Sequence, residues 1–294
     1  MHTKGIFFGL LSALFVAIYM TINKYIYNIY SIDALTYTIL FGIVGGIWGA
    51  TSLLFSLNEE TKYEIKTYWK PLSRIGLVGG LAIAVFVYGQ QYTSSINAAL
   101  IVTANIATTM LFSFIILNDR FNNQQWLWIV LLFIGLYIGI VGFGTITFQT
   151  GDAIIFIAAV IFGFNNAQNR NIIRKLKHPD IAPDMRLIIA GIIASIIAIF
   201  VIKDVEKILL IIPMTLLASG FYWLGLKMFT RTMHLLDANY AIVLNNSQIF
   251  FTSIIAVLLL QEGYTIEKFI GSILVLLCVY RITRKKKISI VSVE

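Results

Sequence analysis

The chain has 294 residues, of which 59% are hydrophobic and 12% charged, with a formal net charge of +8 and a mean hydropathy of +0.85. Soluble domains carry about 25% charged residues. A water-soluble enzyme or a nucleic-acid-binding module is therefore excluded as a class, and the basic surplus is expected on loops that face anionic lipid.

Ten apolar stretches follow one another, each near the length of about 20 residues that crosses a bilayer as a helix. They are Gly5–Tyr25, Ala34–Ser56, Arg74–Tyr92, Asn97–Leu117, Gln125–Val141, Gly151–Asn171, Arg186–Ile202, Ile208–Phe229, Asn239–Leu260 and Ile266–Tyr280. The first follows a single lysine, lacks a small-residue cleavage site and has a counterpart at Gly151, so it reads as a retained helix rather than a signal peptide. Between the second and third, EETKYEIKTYWK reads as a mixed-charge loop with Trp69 at the interface. The only cysteine, Cys278, lies inside the last stretch, which rules out a disulfide or cysteine–metal framework.

The fourth and fifth stretches flank a polar knot, Asn118-Asp119-Arg120-Phe121, and the pattern returns 143 positions later. That shift lays Asp119 on Glu262, Asn118 on Gln261, Phe121 on Tyr264 and Trp126 on Phe269. A repeat of this length predicts a membrane protein of two homologous halves. The unit resembles the end of the EamA repeat of the drug/metabolite transporter superfamily. Glu262 and Asp119 stand at its acidic position, and Gly271 and Gly135 at glycine positions of the helix that follows. The chain departs from that pattern where Ile106 and Ile249 replace a frequent proline, and where Asn118 and Gln261 replace a glycine. The resemblance implies repeats over 1–143 and 144–283, a basic tail over 284–294, and a transporter. Asp119 and Glu262 are expected to cap or brace helix junctions.

Placing the N-terminus in the cytoplasm puts eighteen of the 22 lysines and arginines inside and leaves Lys24, Lys203, Lys207 and Lys268 outside. By the positive-inside rule both termini are then cytoplasmic. Five spans per half is an odd number, so the halves are expected to be inverted relative to each other.

Polar residues within hydrocarbon are costly and face a bundle interior or cavity. At helical spacing the spans offer Tyr19, Asn23 and Lys24; Tyr88; Asn105; Asn165 and Asn169, with Arg170 beside them; Tyr222 and Trp223; and Asn245 and Gln248, which share a face with Thr252. Amides orient polar groups of a solute, and rings cover its apolar or cationic part. The same amides can equally hydrogen-bond helix to helix, and lysines and arginines near span ends can snorkel to headgroups. Gly42 and Gly46 form a GxxxG pair suited to close packing.

No Asp, Glu or His stands near the middle of any stretch, which disfavours proton-coupled export of cations. His2, His178 and His234 are scattered, and no HExxH, GxSxG or Walker pattern occurs, which disfavours a membrane-embedded enzyme or an ATP-driven pump. The expectation is an all-α, ten-helix secondary transporter of the cell membrane, without cofactor or nucleic-acid partner, monomeric or homodimeric among lipids. It would export neutral or zwitterionic small-molecule substrates such as amino acids. The alternatives are an anion carrier using Lys24, Arg170 and Lys227, or an enzyme or scaffold without transport.

Overall fold

In a bilayer an apolar run must satisfy its own backbone N–H and C=O groups, and these runs do so as helices. The computed structural model describes residues 2–117, 122–142, 149–173, 175–202, 205–236 and 238–283. Its helices are α1 (His2–Tyr30), α2 (Ala34–Ser56), α3 (Glu59–Gln90), α4 (Ser95–Val102), α5 (Asn105–Leu117), α6 (Asn123–Val141), α7 (Thr150–Ile173), α8 (Ile181–Val201), α9 (Val205–Leu235), α10 (Ala238–Asn246), α11 (Gln248–Leu260) and α12 (Ile266–Thr283). No strand occurs among the described residues. Of the ten expected spans, nine are, among the described residues, long and apolar enough to cross a membrane. The tenth coincides with α12, which carries Glu267, Lys268 and Arg281. The knot at residues 118–121, Lys203, Asp204 and the basic tail lie outside the described residues.

Three expectations change. The segment EETKYEIKTYWK is helical rather than a loop and forms the first turns of α3. The Asn58 side chain caps it by accepting from the Thr61 N–H at 2.8 Å, and Glu59 and Glu60 sit where the helix dipole favours anions. Pro71 lacks an N–H for Thr67 and the helix kinks there, with Tyr68 at φ −108°, ψ 19°. The fourth and ninth stretches are each broken into two helices. At one break the Thr103 hydroxyl donates to the Leu100 carbonyl at 2.6 Å, and at the other the Ser247 hydroxyl donates to the Leu244 carbonyl at 2.6 Å. Backbone bonds tighten to the three-residue spacing at both points. Ser247 lies 143 positions after Ala104, so the breaks fall in the register of the repeat. Third, α8 begins at Ile181, five residues before the expected start.

Packing between the halves is paired. Helix α1 lies on α9 as α7 lies on α3, and α11 crosses α1 as α5 crosses α7. Helix α2 meets its own counterpart α8, and α6 meets α12. Both of these crossings are lined by glycine. The expected GxxxG pair is used here: a Cβ on Gly46 would come within 2.8 Å of the Gly191 Cα, and one on Gly271 within 2.5 Å of the Gly139 Cα.

The helix ends are tied into two groups. In one, the Glu262 carboxylate accepts from the Ser95 and Ile96 N–H groups at 2.8 and 3.1 Å, capping α4 from the other half as the acidic knot was expected to do. Thr93 donates to Asp152 in the same group. In the other, Glu64 accepts from the N–H groups of Lys177 and His178, and Arg231 pairs with Asp180 at 2.7 Å. Leu54, Phe55, Ile199, Phe200 and Leu258 point outward, an apolar exterior that suits lipid.

Candidate functional site

The interior between the halves is walled by rings. Tyr19 of α1 meets Tyr222 of α9 edge-on at 4.9 Å, and both lean on Phe41 of α2. Phe86 of α3 touches Tyr19 and Phe162 of α7. Into this cage α8 brings Arg186, which is 8% exposed. Its guanidinium carbon sits 5.2 Å from the Phe162 ring centroid and 5.7 Å from that of Tyr222. Gly79 of α3 makes the room: a Cβ there would lie 2.8 Å from Arg186 Nε and 3.0 Å from Asn165 Nδ2. The Arg186 guanidinium and the Asn165 amide therefore both pack against Gly79. Arg186 Nε and Nη2 are buried and pair with no carboxylate among the described residues, and the Tyr222 hydroxyl lies against the guanidinium.

Two residues before Arg186 on the same helix, Asp184 is fully engaged. It accepts from Ser52 at 2.8 Å and from the Trp223 indole at 3.0 Å, and pairs with Lys227 at 3.2 Å. Lys227 also donates to Ser52 and lies over the Trp223 ring, which stacks on Trp48. Two helices of one half thus meet α2 of the other through a charge pair that leaves Lys227 neutralised.

The expected site residues divide accordingly. Tyr19, Asn165 and Tyr222 come together around Arg186. Asn169, one turn beyond Asn165, is buried on the same helix. Asn23 and Lys24 enter a separate network. Asn23 donates to Gln90 at 2.8 Å and accepts from Tyr37 at 2.7 Å, while Lys24 donates to the Gln90 and Gln91 carbonyls at the C-terminus of α3. Tyr88 packs on Tyr92 at that same end. Asn105 opens α5, and its carbonyl accepts from Thr108 and Thr109. Asn245 accepts from Ser12, tying α10 to α1. Gln248, the first residue of α11, is buried, and its Oε1 and the Thr252 hydroxyl one turn on have no partner. The Arg170 side chain lies outside the described residues.

Arg186 is the residue that sequence reading missed, because the seventh span was drawn to begin there and the arginine was counted with the inner loop. Pro183 held the correcting signal. Proline is favoured in the first turn of a helix, so the helix starts before it, and Arg186 then lies more than a full turn inside. Lys227 was likewise placed near a span end, but α9 continues two turns beyond it to Leu235. A cavity of about 370 Å³ opens away from these rings, at the end that holds Glu262, lined by Ser94, Asn97, Gly142, Gln149, Thr265 and Lys268 among others.

A sequence model of the EamA-like transporter family matches the chain twice, at residues 3–141 and 149–284. One curated relative, the "Uncharacterized transporter YyaM" of Bacillus subtilis (strain 168), is 28% identical over 138 residues, and the match spans 45% of the chain and 45% of the relative. A solved crystal structure of a protein at 13% identity superposes with a TM-score of 0.56 over 93% of this chain and 98% of that one, a likeness of fold.

Proposed function

The chain belongs to the EamA-like transporter family, whose members are transporters and not enzymes, and from that premise we propose that this multi-pass membrane transporter is a secondary carrier with its site between the two halves. The single observation that carries this reading is the ring-walled interior. Tyr19, Phe41 and Phe86 come from the first half, and Phe162, Asn165, Arg186 and Tyr222 from the second. A site shared by two bundles changes its access when one bundle rocks against the other. The broken helices, in matching positions of both halves, supply the segments that could bend.

The halves are inverted and both termini are cytoplasmic in this reading. The split of basic residues and the odd number of spans per half support it. The proposed substrates are small zwitterionic metabolites such as amino acids, moved outward. Rings and amides can hold an ammonium and an apolar body. The second reading, an anion carrier, would not use Lys227, which Asp184 neutralises, or Lys24, which caps α3. Its cation would be Arg186.

The test has two steps. Metabolites that accumulate outside cells with and without the protein identify the solute class, and uptake into proteoliposomes then measures the flux. Saturable flux that follows the solute gradient supports the carrier reading. A difference in metabolites with no flux in proteoliposomes would contradict it.

A further inference from the structure

We infer that Arg186 is the carboxylate anchor of the transported solute, a site that accepts a singly charged organic carboxylate with its body against the surrounding rings. This rests on the carrier reading above and adds to it the chemistry of one end of the substrate.

A guanidinium keeps its charge in any protein, and burying a charge without a partner is costly. Arg186 is nonetheless 8% exposed, and no carboxylate pairs with it among the described residues. The nearest sequence neighbour able to do so, Asp184, is already committed to Ser52, Trp223 and Lys227. The stacking of Arg186 on Phe162 and Tyr222 covers the faces of the guanidinium and leaves its N–H edge without a carboxylate.

The two nitrogens that meet no carboxylate are informative. Nε and Nη2 lie side by side on one edge of the guanidinium, and their parallel N–H bonds match the two oxygens of a carboxylate. The Tyr222 hydroxyl, buried against the guanidinium, and the Asn165 amide beside Gly79 add further polar groups to the same neighbourhood. The donors named here hold one formal positive charge. A carboxylate balances that charge, whereas a phosphate dianion would bring a second negative charge into a ring-lined interior.

Purified protein tests this without transport. The probes are benzoate, benzamide and inorganic phosphate at millimolar concentrations, read by thermal unfolding in detergent. Benzoate is expected to raise the melting temperature of the wild type, and benzamide and phosphate are not. The R186Q variant should fold, with a melting temperature equal to or above that of the wild type, because it loses an unpaired buried charge. Its apparent affinity for benzoate should fall about tenfold or more, the loss expected for charged hydrogen bonds. R186K, which keeps the charge without the fork, should retain part of the response. The proposal is overturned if benzoate and benzamide act alike, if phosphate stabilises more than benzoate, if benzoate has no effect, or if R186Q keeps the benzoate response. Carboxylate binding in a protein that shows no flux would leave the anchor standing and sink the carrier reading. Flux unaffected in R186Q would do the reverse.

Discussion

Residues around α8 do two different jobs within one turn. Asp184 closes a charge pair across helices, and this leaves Arg186 without a carboxylate of its own. Removing one member of a buried pair costs about 3–5 kcal/mol, because the other charge is left buried and alone. Asp184→Ala should therefore lower the melting temperature sharply, and the double variant Asp184→Asn with Lys227→Met should recover much of the loss. Equal melting temperatures for the single and double variants would show that the pair is not coupled. Gly79→Ala is expected to act on function, since its Cβ would fall 2.8 Å from Arg186 Nε and 2.9 Å from Arg186 Cδ. Transport should fall while stability drops by no more than about 1–3 kcal/mol, the usual cost of overpacking. For Asn165→Ala and Gln248→Ala the transport loss should likewise exceed the stability loss. An interhelical hydrogen bond in a membrane is worth only about 0.6 kcal/mol on average, whereas an unpaired substrate contact costs about 1–3 kcal/mol. Wild-type uptake with a lowered melting temperature would make these amides helix-to-helix glue.

Elements were legible where hydropathy ends abruptly. Ala34–Ser56 coincides with α2 to the residue, because Asp33 caps its start and a polar turn ends it. The breaks at Thr103 and Ser247 were hidden because the apolar run continues through them, and only the backbone pairing changes. The first turns of α3 were hidden for the opposite reason: their residues are charged, and hydropathy alone does not separate a solvated helix from a loop. Of the candidate site, Tyr19, Asn165 and Tyr222 were found by spacing. Arg186 was lost to an error of five residues in one helix start, which is enough to move a side chain from a loop to the buried interior. Two element-scale outcomes follow. Gly191→Val puts a Cβ 2.7 Å from the Gly46 Cα, where backbone faces backbone, so the α2–α8 crossing should open and detergent stability should fall by about 3 kcal/mol or more. A melting temperature equal to that of the wild type would mean that the crossing is loose. Thr103→Val together with Ser247→Leu removes both hydroxyls that tighten the breaks. Initial transport rates should then fall with little change in melting temperature, as expected where the breaks act as hinges.

At the scale of the whole molecule, sidedness and carrier action are joined. Cys278 is fully buried, so it should not interfere with cysteine reporters introduced elsewhere. Reporters at Gln149 and Thr265 should react with an impermeant reagent from outside, and reporters at Tyr63 and His178 only after the membrane is opened. The reverse pattern would overturn the cytoplasmic placement of the termini. The most direct measurement is counterflow in proteoliposomes loaded with the solute identified from cells. Entry of labelled solute should be saturable and accelerated by unlabelled solute on the opposite side, as a site open to one face at a time requires, and should fall about tenfold or more in R186Q. Flux that rises linearly with concentration, with no acceleration from the opposite side, would contradict a carrier with its site between the halves.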